Sequence, residues 1–392
     1  MKISELLQTI VDNRGKTPPI SDAGHCLLEI NCIATKGKYP EYSLIKKHVT
    51  EETYTSWFRS GHPKKGDILI PTVGTLDAIS MMDRNDCCIA QNVVAFRTNP
   101  SVCDNEFLYY LLCDPSVRRR LLQLNIGAVQ PSIKVPHLKN LEVNIPAISI
   151  QRKIAQVLCN IDEKIRQNKR INENLEQQAA AYFYHQFIVN ADPSWKEGTI
   201  SDLGTVVGGS TPSKSKPEYY TDNGIAWITP KDLSVDKSKF ISHGADDITE
   251  LGLRNSSASI MPAGTVLFSS RAPIGYIAIA DGEVTTNQGF KSVVPNGNVG
   301  TAFVYYFLKN ALPTIENMAS GSTFKEISGS AMRTVPAVIP DDESLQEFSG
   351  FCKPLFQQQR TLEAENRSLA ALRDSLLPKL MSGELDVSDL DF

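Results

Sequence analysis

The sequence repeats itself at about half its own length, and this limits its possible folds more than any other feature. In the 392-residue chain Ile3-Ser4-Glu5-Leu6 returns as Ile200-Ser201-Asp202-Leu203, and Gly15-Lys16-Thr17-Pro18 as Gly209-Ser210-Thr211-Pro212. Lys65-Gly66-Asp67-Ile68-Leu69 is answered by Ala263-Gly264-Thr265-Val266-Leu267. Phe107–Leu112 is answered by Phe303–Leu308, and Ile145-Pro146 by Ile339-Pro340. Five matches in one order, offset by 194 to 198 residues, make the chain two copies of one unit. Length alone allows two or three domains; the repeat selects two similar heads.

Each copy opens with about 145 residues of short β-type runs separated by Gly, Pro, Asn and Asp. Strands are predicted at 67–71, 93–97, 225–229, 265–269 and 274–280, and short buried helices at 107–113 and 303–309. Each copy closes on a long helix. Positions 154, 158, 161, 165, 168, 172, 175, 179 and 182 step by four and three, as do 348, 352, 355, 359, 362, 366, 369, 373, 376 and 380. That is the a/d rhythm of a coiled coil, with a seam carried by Ile154, Leu158, Ile161, Ile165, Asn172, Leu175, Leu355, Leu362, Asn366, Leu369 and Leu376. Pro378 predicts a stop or kink near Leu377. A seam on a lone helix has nothing to bury against, so the two helices are expected to pair antiparallel. About 35 residues make a rod of roughly 50 Å with one head at each end. The polar seam residues Asn168, Asn172, Gln359, Asn366 and Arg373 either fix register at a cost in stability, or face solvent because each helix also packs on a head. The expected fold class is α+β: two similar globular domains joined by two long antiparallel coiled-coil helices in a pseudo-two-fold repeat. The boundaries read 1–146, 147–190, 191–342 and 343–392.

Composition excludes several classes. Hydrophobic content of 41% and charged content of 21% are those of an ordinary globular chain, neither disordered nor fibrous. Eight cysteines without a C-x-x-C pair, and six scattered histidines, offer no metal motif. They suit a reducing compartment. The N-terminal residues lack the apolar core of a signal peptide, and no run of 18 apolar residues occurs, so the chain is expected in the cytoplasm. No P-loop, dinucleotide turn, nucleophile elbow or adenine-methyltransferase Asn/Asp-Pro-Pro-Tyr/Phe element is present. The sequence predicts no covalent chemistry and no catalytic residues.

Two long segments and one head carry a family resemblance. Gln151-Arg152-Lys153-Ile154-Ala155-Gln156-Val157-Leu158, continuing through Ile161-Asp162-Glu163-Lys164-Ile165, resembles the central conserved helix of the specificity subunits of type I restriction-modification enzymes. Leu376–Leu385 resembles the end of their distal helix. Gly209–Ser213, followed by Trp227–Leu233, resembles the opening of their target recognition domains. The first head departs from that pattern, with Asn31-Cys32-Ile33 where the second has Trp227-Ile228-Thr229. The resemblance implies target recognition domains at 1–146 and 191–342 in a non-catalytic DNA reader. Each head would read half of a split target, and the helices would set the spacer and dock two modification subunits. S-adenosylmethionine would come with those methyltransferase subunits, and ATP and Mg with restriction motor-nuclease subunits; the chain itself would bind neither cofactor nor metal.

A net charge of −4 gives no global footprint for nucleic acid, so contacts must come from local loops. Residues 1–150 carry 17 basic against 15 acidic side chains, and residues 191–342 carry 12 against 16. In the second head Ser213, Lys214, Lys216, Tyr219, Tyr220 and Lys231 suit phosphates, Arg271 suits guanine, and Thr286, Asn287 and Gln288 suit adenine. The first-head counterparts are Lys16, Thr17, Lys36, Lys38, Tyr39, Arg59, Gln91 and Asn92. Trp57 and Trp227 are expected in the cores, and Arg118-Arg119-Arg120 at a helix C-terminus. Two other readings stay open: a coiled-coil scaffold without sequence-specific DNA binding, and a solitary diverged methyltransferase or nuclease.

Overall fold

The computed structural model describes residues 1–34, 37–127, 129–321 and 325–390. These form two compact units, one of residues 1–166 with 367–392, the other of residues 167–366. Long helices run over Ile148–Tyr184, extended by a π turn at His185–Val189, and over Asp342–Ser382.

The repeat extends to the strand pairing. In the first head an antiparallel sheet is ordered Leu7–Val11, Val93–Thr98, Ile68–Pro71, Ser80–Met81. In the second the order is Gly204–Gly208, Lys291–Pro295, Val266–Ser270, Ile274–Ala280, with Phe240–Ile241 added in parallel at the edge. A smaller sheet accompanies each. His25–Leu28 pairs antiparallel with His48–Val49 and parallel with Cys87–Ile89; Ile225–Ile228 pairs in the same senses with Asp246–Ile248 and Thr285–Thr286.

The central strands open on three apolar residues, Ile68–Ile70 and Val266–Phe268, because both of their faces are covered. Ile68 and Ile70 point into a core with the helix Asn105–Cys113, while Leu69 between them faces a second core with Leu28, Ile33 and Ile89. Val266 and Phe268 repeat the first environment and Leu267 the second. The shared Gly at the entry to these strands has a steric cause. Gly66 and Gly264 have φ of +90° and +83°, and a Cβ on Gly264 would stand 2.8 Å from Thr301 Oγ1.

Within each unit one long-helix segment runs antiparallel to a segment of the other. In the first unit Ile154 and Leu158 share a core with Leu377 and Leu380, and Arg373 donates to Asp162 at 2.8 Å. In the second unit Ala179 and Phe183 share a core with Phe348 and Cys352, and Gln359 Nε2 donates to the Asn172 carbonyl at 3.1 Å. Ile154, Leu158 and Leu175 are buried; Ile161, Ile165, Asn172, Leu355, Leu362, Asn366, Leu369 and Leu376 are half-buried. Pro378 does not end its helix, which continues to Ser382. Leu377 and Leu380 lie in the core, so packing outweighs the missing hydrogen bond.

Asn168 Nδ2 donates to Asn366 Oδ1 at 3.1 Å and to Glu365 at 2.9 Å, an uncommon polar layer that pins the register of this pair. Asn172 Oδ1 is buried without a hydrogen-bond partner among the described residues. Asn172→Leu is therefore expected to stabilise the second unit by about 1 kcal/mol, since an unmet acceptor is removed and the Asn168–Asn366 layer still holds register. Thermal unfolding checks this; a lower midpoint would show that the amide is worth more than the leucine.

Candidate nucleic-acid interface

The first head presents one compact basic loop pair. The strand Leu7–Val11 runs into Asp12–Lys16, and this loop is clamped to residues 59–61 beyond the helix Glu51–Ser56. Asn13 Nδ2 donates to the Gly61 carbonyl at 2.8 Å and Asn13 Oδ1 accepts from Ser60 N at 2.9 Å. Ser60 Oγ donates to the Asp12 carbonyl at 2.8 Å, and Arg59 to the Arg14 carbonyl at 3.0 Å. Arg14 makes a bidentate pair with Asp12, both bonds 2.7 Å, which lowers the Asp12 carboxyl below its usual range and cancels both charges. Lys16, Arg59 and Trp57 then line a cleft of about 340 Å³ with Asn13 and Gly15. Lys16 and Arg59 are exposed and make no ion pair among the described residues.

The second head uses hydroxyl and amide groups at the corresponding place. The loop after Gly204–Gly208 lies on the loop after Thr285–Thr286: Ser210 N donates to the Thr286 carbonyl at 2.8 Å, and the Thr211 hydroxyl donates to Gln288 Oε1. Trp227 Nε1 supports this from below, donating to the Ser210 carbonyl at 3.0 Å, and the Tyr220 hydroxyl donates to the Pro212 carbonyl at 2.6 Å. Arg271 lies 3.4 Å from Glu326, which also faces Lys291 at 3.8 Å. Burial is what most lowers the Lys291 pKa, and Glu326 opposes that shift.

The sequence-predicted residues separate accordingly. Lys16 and Arg59 meet in one cleft, with Thr17 exposed beside Lys16; Gln91 and Asn92 are half-buried. Ser213, Lys214, Lys216, Lys231 and Gln288 are exposed, and Tyr219, Asn287 and Arg271 partly so. Asn287 Oδ1 is taken by Gly289 N at 2.9 Å, and Tyr220 is engaged in holding Pro212. Lys36 lies outside the described residues.

Three expectations are corrected. Lys38 is no surface cation: its side chain is 8% exposed and ion-paired to Glu106, donates to Cys159 Sγ at 3.2 Å and lies over the rings of Tyr109 and Tyr110. Burial works against that charge, but Glu106 and Cys159 outweigh it and raise the Lys38 pKa. Tyr39 packs beside it, half-buried under Arg166. Thr286 is fully buried and cannot reach a base edge. Trp57 is not core: it is 38% exposed, whereas Trp227 is 3% exposed. Arg120 sits in the last turn of the helix Pro115–Gln123, as the sequence leads one to expect, and Arg118 and Arg120 donate to the Asp77 and Glu142 carbonyls. The structure also brings Trp57 and Asn13 into the first-head cleft and Thr211 onto Gln288; only polar Ser56, Arg59 and Ser60 around the indole hint at its surface position.

A repeated α+β head, each copy closed by a long helix that pairs with the other, defines a class of internally duplicated two-headed chains. A family model for the type I restriction modification DNA specificity domain matches residues 28–177 and again residues 193–369. The chain belongs to this family of type I restriction-modification specificity subunits, the DNA-recognition and not the catalytic components of those enzymes. It is similar to the MjaIX specificity subunit of Methanocaldococcus jannaschii, 41% identical over 40% of this chain and 36% of that one. To the HindI specificity subunit of Haemophilus influenzae it is 24% identical over 82% of this chain and 87% of that one. The solved S subunit of a type I system from M. genitalium has the same fold, with a TM-score of 0.57 at 20% identity over 97% and 95% of the two chains. Among the described residues no helix is long and apolar enough to cross a membrane.

Proposed function

We propose that the chain reads a bipartite DNA target, one half-site per head, within a complex that also holds two modification subunits and, for cleavage, restriction motor-nuclease subunits. The observation that carries this reading is one framework bearing two different surfaces. Thr50 and Thr249 cap equivalent helices, accepting from Thr53 N at 3.2 Å and Gly252 N at 3.1 Å. Counting from these caps, Trp57 and Arg59 of the first head correspond to Ser256 and Ala258 of the second. Copies that keep the fold and change the exposed side chains suit an asymmetric split sequence. The long helices set the spacer and dock the modification subunits. S-adenosylmethionine reaches the DNA on those subunits, ATP and Mg act on the restriction subunits, and the assembly works in the cytoplasm. Mapping methylated adenines in the source genome with the gene present and deleted tests this. Loss of one bipartite motif on deletion supports the reading; an unchanged map rejects it.

Arg271→Ala is expected to weaken target binding about tenfold and relax one base position, because a partly exposed arginine at the end of the strand Val266–Ser270 suits bidentate reading of guanine. An equal loss on every sequence, measured by competition binding, would make Arg271 a phosphate contact instead.

A further inference from the structure

We propose that Trp57 is a base-reading residue of the first head, its indole meeting the methyl group of a thymine in that half-site while Lys16 and Arg59 hold the flanking phosphates. This rests on the reading of the chain as a DNA specificity component. An indole 38% exposed beside two cations that make no ion pair among the described residues is an unusual surface, and its charge selects a polyanion as occupant. The surface is also fixed in place. Trp57 N donates to the Thr53 carbonyl at 3.0 Å, and the bonds through Asn13, Ser60 and Arg59 hold the loops on either side, so the backbone that carries these side chains is ordered before binding.

The indole lies within a cleft, more than half covered, which does not suit a wedge driven between base pairs. The apolar base feature that the edges of duplex DNA offer an exposed indole is the thymine methyl. The second head has Ser256 and Ala258 at the corresponding positions and cannot make this contact, so the effect belongs to one half-site only.

The test uses the chain assembled with its modification subunits and duplexes carrying its mapped target. Each thymine is replaced in turn by uracil, which removes only the methyl. In the unaltered complex, uracil at one thymine of one half-site is expected to weaken binding about fourfold, the worth of one buried methyl. Trp57→Ala should weaken the normal target and lose all sensitivity to that uracil, and Trp57→Phe should keep part of it. Lys16→Ala and Arg59→Ala should lower affinity on every sequence and flatten the salt dependence by about one counterion each. A uracil effect nowhere, in both half-sites, or equal in Trp57→Ala and the unaltered complex overturns the proposal, as does a half-site without thymine. Target and unrelated DNA bound equally by the unaltered complex would instead reject the underlying DNA-reading function. If Trp57→Ala fails to fold, Trp57→Phe carries the same comparison, and an undiminished uracil effect in it overturns the proposal.

Discussion

Replacing Glu176 by alanine is expected to destabilise the second unit by about 3 to 5 kcal/mol, because it leaves a buried lysine without its counter-charge. Lys239 has a side chain only 5% exposed, ion-paired to Glu176. It also donates to Gln359 Oε1 at 2.8 Å and the Tyr306 hydroxyl at 3.1 Å, and the Phe356 ring centroid lies 4.2 Å away. Gln359 survives the substitution, but the Tyr306 hydroxyl, which donates to Glu176 at 2.8 Å, loses its acceptor, so the middle of the range is expected. Glu176→Gln keeps an acceptor and should cost less. Lys309, 2.6 Å from Glu176 but 41% exposed, adds little. Hydrogen exchange in the second unit reads the effect, with the core around Phe96 and Phe107 of the first unit as an internal control. The double variant Lys239→Met/Glu176→Leu should recover most of the loss, since well-packed apolar residues commonly replace a buried pair without penalty. A single variant as stable as the parent would mean that Gln359 and Tyr306 alone hold the ammonium.

The same pair makes the second unit sensitive to acid. Burial raises the Glu176 pKa, but Lys239 and Lys309 outweigh it, so the carboxyl titrates below its usual 4.5. A carboxyl with a lowered folded-state pKa stabilises the fold fully above its unfolded value. That contribution fades as the pH falls from 4.5 through the folded value. Stability in that acid window should therefore drop less steeply in Glu176→Gln, which cannot take up the proton.

The framework was legible in the sequence because it repeats and because its strands are sealed on both faces. The runs 68–71 and 266–268 are apolar at successive positions, and the same glycine turn precedes each. The helix seam was legible through its four-three spacing. The surface was not, because solvent, a core and an ion pair can all hold the same residue type. Lys38 in Gly37-Lys38-Tyr39 reads as a loop cation, and what removes it from the surface is Glu106, distant in sequence but adjacent in space. Lys239 performs a similar buried task in the second head with an acid from the long helix, so even the repeat does not reveal the shared role. Thr286 reads as a polar loop residue beside Asn287 and Gln288, yet its two-residue strand pairs with Trp227 and Ile228 and is buried. Trp57 carries the opposite error, since hydrophobicity predicts burial and only the placed loops show a cleft.

Gly209→Ala is expected to lower target binding about a hundredfold, roughly 2.7 kcal/mol, and to do so through the second half-site alone. A Cβ there would overlap the carbonyl oxygens of Asn287 and Thr286, which belong to backbone and cannot swing aside. The loop 210–212 must lift, breaking the Ser210–Thr286 hydrogen bond and the Thr211–Gln288 contact that join the two loops. The fold itself should lose less, because Trp227 remains packed in its sheet and only its bond to the Ser210 carbonyl is strained. Competition binding with duplexes altered in one half-site at a time gives the readout. The variant should still discriminate changes in the first half-site and become nearly indifferent to changes in the second. Gly208→Ala is the control, since a Cβ on the neighbouring glycine meets nothing within 4 Å. Equal losses from the two substitutions would show that glycine here serves chain flexibility and not the close approach of the two loops.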